Sequence, residues 1–133
     1  MQNKIKHLEF IQTIIDRLAR NSFLLKGWSM TIIAALFAFS GNKDLIKHIL
    51  AAYFLIAIFW FKDSYYLWQE RLFRALYNHT RKLEERDIDF SLEVKQFSKE
   101  KGCTWVDSIF SKTLLLFYFP LMLVTLIIFY FLR

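Results

Sequence analysis

Apolar and polar positions alternate at helical spacing from the start of the chain. Ile5, Leu8, Ile11, Ile15, Leu18 and Ser22 recur every three or four residues, opposed by Lys6, Glu9, Asp16, Arg17 and Arg20. That pattern predicts an amphipathic helix over residues 1–22. It runs into FLLKGWSMTIIAALFAFS, Phe23 to Ser40, whose only charge is Lys26. A second apolar run extends from Leu45 to Phe61, carries Lys47 and His48 near its start, and ends in Phe59, Trp60 and Phe61. Only GNKD lies between the two runs, with Gly41 and Asn42 as the natural helix stop. The pair therefore predicts a helical hairpin over residues 23–61. Both arms are shorter than the roughly 20 residues that a spanning helix prefers.

The clearest segment is TLLLFYFPLMLVTLIIFYFL, Thr113 to Leu132, which contains no charge. Twenty residues at about 1.5 Å each match the roughly 30 Å hydrocarbon core of a bilayer. A transmembrane helix is predicted over residues 113–133, kinked at Pro120, with Lys112 and Arg133 as interfacial anchors. Between hairpin and last helix, residues 62–112 predict a long cytoplasmic helical region. Tyr65, Trp68, Leu72 and Leu76 share one side of it, Glu70 precedes Arg74 by four residues, and no Pro or Gly interrupts Leu45 to Lys101. Asp107 and Ser108 are the expected caps before the last helix. The expected fold is thus an all-α integral membrane protein.

Composition strengthens this reading. Of 133 residues 56% are hydrophobic and 15 are Phe, while three Gly and one Pro leave little material for β-hairpins. The net charge of +6 fits either nucleic-acid binding or the positive side of a membrane topology, and the three apolar runs favour the second. Lys and Arg concentrate before Lys26 and between Lys62 and Lys112, with few at the hairpin tip and only Arg133 past the last helix. The positive-inside rule then puts the N-terminus and the central region in the cytoplasm and the C-terminus outside. MQNKIKHLEF does not read as a signal peptide, so the apolar segments are expected to persist in the mature protein. Cys103 is the only cysteine, which excludes an intramolecular disulfide and suits a reducing compartment.

No catalytic constellation is visible, and no metal or cofactor motif. His7, His48 and His79 are scattered, and HExxH, CxxC and glycine-rich phosphate loops are missing. An enzyme is not expected. Two places carry candidate function. Arg20, Asn21, Trp68, Arg71 and Arg74 lie near the membrane join among aromatic residues. They form either an ordinary interface belt with local ion pairs or a cytoplasmic mouth that binds an anionic ligand. Lys26, Ser29, Ile33, Leu36 and Ser40 share one face of the first arm. In an oligomer that face could line a pore, with Lys26 as a positive ring and Ile33 and Leu36 as a constriction. Small residues on the same arm, such as Ser29 and Thr31, equally let helices approach closely in a bundle.

RNSFLLKGWSMTIIAALFAFS and FWFKDSYYLWQERLFRALY resemble small bacterial membrane effectors of nucleotide-controlled anti-phage defence, such as the Hailong channel effectors. The resemblance covers roughly the first sixty per cent of the chain. It implies a homo-oligomeric channel in the bacterial inner membrane, gated by an oligonucleotide that a partner nucleotidyltransferase makes. A tetramer is the working assembly. No ligand-site residue is carried over from the family. The expected function is therefore an ion-conducting membrane effector gated from the cytoplasm. The alternative is a non-conducting anchor that recruits a soluble partner through residues 62–112.

Overall fold

The computed structural model describes residues 2–39, 45–100 and 103–132. All regular structure among them is helical. Helix α1 is Gln2–Ala38 and helix α2 is Leu45–Arg81, each 37 residues and so about 55 Å long. A short α3, Trp105–Ile109, precedes α4, Lys112–Leu132. The connection from α2 to α3 holds two single turns of 3₁₀-helix, Glu85–Asp87 and Lys95–Phe97. Gly41 and Asn42, the expected helix stop, lie outside the described residues, as do Ser40 and Lys43.

α1 and α2 form one long antiparallel hairpin. Lys4 near the start of α1 reaches the carbonyls of Arg81 and Leu83 at the end of α2, at 3.0 and 2.6 Å. The backbone N–H of Asn3 donates to Glu85 Oε1 at 3.1 Å. Each contact satisfies a helix end: the ammonium serves orphan carbonyls and the carboxylate an orphan N–H. α4 runs antiparallel to α2 along its first half, with the Tyr118 hydroxyl donating to the Phe59 carbonyl at 3.4 Å and the Tyr53 hydroxyl to the Met122 carbonyl at 3.2 Å. The helix continues unbroken through Pro120.

α1 is unbroken across residues 22 and 23, and α2 across 61 and 62, so the amphipathic and apolar stretches share continuous rods. The central region is less helical than its sequence predicts. α2 stops at Arg81, although neither Pro nor Gly is present, because Lys4 and the 3₁₀ bonds from Lys82 to His79 and from Leu83 to Thr80 terminate it. The chain then returns along the hairpin as an irregular strap. Phe90 takes a left-handed φ of 58° and packs edge-on to the His7 ring, and Phe97 is buried against both helices. Asp107 and Ser108, the expected caps of the last helix, lie instead inside α3. The caps are Thr104, whose hydroxyl accepts from Asp107 N at 3.2 Å, and Ser111, whose hydroxyl accepts from Leu114 N at 3.4 Å.

Two apolar clusters result. In the head, Ile11 and Ile15 of α1 meet Leu72 and Leu76 of α2 and Phe97 of the strap. At the other end, Ile33, Ile56, Leu114 and Tyr118 bring α1, α2 and α4 together.

Candidate functional site

A polar cluster lies where these two clusters meet. Asp63 on α2 is fully buried. Its carboxylate accepts from Lys26 Nζ at 2.6 Å, from the Tyr118 hydroxyl at 3.0 Å, and from the Ser22 hydroxyl. Ser22 and Lys26 are one helical turn apart on α1, so both reach the same carboxylate, and Lys26 also donates to Ser22 Oγ at 2.9 Å. The Lys26 ammonium sits 5.9 Å from the centroid of the Phe117 ring. Three helices thus contribute to one ionic group. A buried charge pair costs several kcal/mol per ion in desolvation, and only near-complete hydrogen bonding offsets that cost. Here each carboxylate oxygen is engaged, and among the described residues no buried side-chain nitrogen or oxygen lacks a partner.

An aromatic shelf braces the cluster. Trp60 donates to the Ile109 carbonyl at 3.0 Å and stacks on Tyr118 with ring centroids 5.9 Å apart. Trp105 donates to Ser64 Oγ at 3.0 Å, and Trp68 to the Cys103 carbonyl at 2.9 Å. The Trp68 and Trp105 rings stack at 5.6 Å. Every indole N–H in this shelf therefore has an acceptor, as suits half-buried tryptophans.

The face expected to line a pore is turned into the chain's own packing. Lys26 is tied to Asp63, Ser29 is fully buried with its hydroxyl on the Lys26 carbonyl, and Ile33 belongs to the second cluster. Leu36 is half-buried, and Ser40 lies outside the described residues. The five anionic-ligand candidates are split. Arg71 and Arg74 line a groove of about 460 Å³ with Asn78, Lys82, Phe97, Glu100 and Cys103. Arg74 also pairs with Glu70 at 2.9 Å. Arg20, Asn21 and Trp68 do not line that groove. Arg20 is exposed on α1, and one face of Trp68 is covered by Trp105. In the same groove, burial and the neighbouring Glu100 and Asp107 push the Cys103 thiol above its ordinary range, against a smaller lowering from Arg71.

The pairing of Lys26 with Asp63 has a faint sequence signal: Lys26 is the lone charge of its apolar run, and Asp63 is an acid among the aromatics that follow the second run. Tyr118 has none, because one tyrosine among the aromatics of the last helix looks like any other. No three His, Cys, Asp or Glu side chains among the described residues are placed to hold a metal ion. Comparison with protein-family models, with characterised proteins and with solved structures returns no match.

Proposed function

We propose that the chain is a membrane-embedded, homo-oligomeric ion-conducting effector controlled from its water-facing head. Support for the membrane comes first from exposure. Two helices among the described residues are long and apolar enough to cross a bilayer, and only 11% and 17% of their most apolar windows are buried. The core helix of a soluble protein would be mostly covered. Phe23, Trp28, Leu50, Phe54, Leu116, Leu126 and Phe131 all stand at least half exposed, spread over α1, α2 and α4. A soluble monomer seldom exposes so much contiguous apolar surface. In this reading the second half of α1, the first half of α2 and α4 lie in the bilayer. The positive residues keep the head in the cytoplasm and the C-terminus outside.

The observation that carries the effector reading is the ionic cluster at the edge of that apolar band. Ionisable groups inside membrane helices are costly and mark ion pathways or switches. Lys26 and Asp63 join α1 to α2, and Tyr118 ties α4 to the same carboxylate, so the cluster is a latch on the three-helix arrangement. One chain has its own helices packed where a pathway would run, so conduction takes place between copies of the chain. The groove at Arg71, Arg74 and Lys82 supports control by an anion, which is where the resemblance to nucleotide-controlled effectors would apply. A cyclic or linear oligonucleotide and a nucleotidyltransferase partner are proposed on that resemblance alone.

The test is conductance of the purified protein in planar bilayers, with Asp63→Asn run beside it. The expected result is discrete current steps whose open fraction rises several-fold in the variant, and which oligonucleotides on the head side alter. A silent bilayer with verified insertion would favour the second reading, a non-conducting anchor that recruits a partner through residues 62–112. The burial of Ser29 and Ile33 within the single chain is the observation on that side.

A further inference from the structure

Next to the latch, but facing outward, Lys62 is exposed and has no ion-pair or hydrogen-bond partner among the described residues. The adjacent Asp63 cannot serve it, because that carboxylate is buried and already held by Lys26, Tyr118 and Ser22. Lys62 lines a cleft of about 210 Å³ with Phe61, Tyr65 and Tyr66, and no carboxylate lines it. The aromatic walls are held in place. Phe61 packs on Trp105 with ring centroids 4.8 Å apart, and Tyr65 packs on Tyr66, Trp68 and Trp105 at 6.0 to 6.2 Å.

We propose that this cleft binds the headgroup of an anionic phospholipid. Lys62 pairs with the phosphate, the hydroxyls of Tyr65 and Tyr66 donate to its oxygens, and the ring of Phe61 lies against the glycerol and the upper acyl chain. The inference rests on the membrane reading above. Three features select this ligand. The cleft is smaller than the roughly 300 Å³ and upward typical of soluble small-molecule sites, which suits a headgroup whose tails stay outside. Its rim is apolar and open, since Phe61 and Tyr65 are 56% and 45% exposed. An aromatic cleft alone would also accept a choline by cation–π attraction, but the unpaired Lys62 ammonium repels that cation and favours net negative charge.

The experiment purifies the protein from vesicles of equal parts phosphatidylglycerol and phosphatidylcholine in mild detergent and counts retained lipids by native mass spectrometry. Resistance to carbonate extraction is measured on the same vesicles. Phosphatidylglycerol is expected to be retained several-fold over its bulk share. Lys62→Gln should return the ratio to the bulk value, Tyr65→Phe should lower it in part, and Lys95→Gln, in the head, should leave it unchanged. Excess inorganic phosphate is expected to have no effect. Equal retention of both lipids, or enrichment that survives Lys62→Gln, overturns the lipid site while leaving insertion intact. Enrichment abolished by inorganic phosphate also overturns it, in favour of a soluble anion. Extraction by carbonate overturns the membrane reading and the lipid site together.

Discussion

The two halves of the α1–α2 hairpin are built from the same helices and close on clusters of similar size, yet they treat their outer surfaces in opposite ways. The head buries Ile11, Ile15, Leu72, Leu76 and Phe97 and shows charge around them: Arg17, Arg20, Arg74 and Lys82 are exposed. The other half buries Ile33, Ile56, Leu114 and Tyr118 but shows Phe54, Leu116, Leu123 and Phe131. Inner packing is therefore common to both, and the halves differ in the face they show outward. Between them sits the only ion pair among the described residues with a fully buried member, at the level where the exposed surface changes from charged to apolar. That placement makes physical sense: the Lys26 stem can follow the apolar side while its ammonium reaches a carboxylate at the boundary.

The comparison breaks most severely if the charge balance at the join is removed on one side only. Asp63→Leu leaves the largely covered Lys26 ammonium without its counter-charge and should cost about 3 kcal/mol, while adding Lys26→Met should recover most of the loss. Equilibrium unfolding in mild detergent with increasing dodecyl sulfate would measure both variants. Next in size is the contrast between the halves. Leu72→Ala, in the buried head, is expected to cost about 2–5 kcal/mol by the cavity it leaves. Leu123→Ala, on the exposed face of α4, should stay within about 0.5 kcal/mol. The same unfolding assay reports both, and equal losses would erase the distinction between inner and outer faces. A smaller effect belongs to the strap: Thr104→Ala removes the cap of α3 and should cost about 1 kcal/mol.

The smallest effect concerns Cys103, whose thiol is held above its ordinary value of 9.0, first by burial and then by Glu100. A raised pKa means less thiolate at any pH below it, so alkylation near pH 8.5 should run slower in the folded protein than in the denatured chain. The gap should narrow as the pH climbs past the raised value. Glu100→Gln should speed the folded reaction slightly, and iodoacetamide labelling followed by mass spectrometry reads all three rates.

Much of the fold was legible in the sequence because helical periodicity and apolar run length carry direct physical meaning. The spacing of Ile5, Ile11 and Ile15 and the uncharged run after Lys112 correspond to α1 and α4 as described. The end of α2 was not legible. It depends on Lys4, nearly eighty positions away, and no local breaker announces it. The strap was hidden for a related reason, since Phe97 reads as one apolar residue in a charged stretch until the open side of the hairpin calls for cover. Of the candidate site, Lys26 stood out as the one charge in its apolar run, but its partnership with Asp63 is a matter of register between two helices. The face of Ser29 and Ile33 could be read either as pore lining or as close helix packing, and in the single chain it packs.

The central claim is that the outer face of the second half meets lipid while the head meets water. Single spin labels at Leu50 and Leu123, and at Arg17 and Lys95 in the head, would be placed in the protein reconstituted in vesicles. Collision rates with oxygen, which partitions into lipid, would be compared with those of a water-soluble nickel chelate. Oxygen should dominate at Leu50 and Leu123 and nickel at Arg17 and Lys95. Nickel-dominated collisions at Leu50 and Leu123 would contradict the account and remove the bilayer from it.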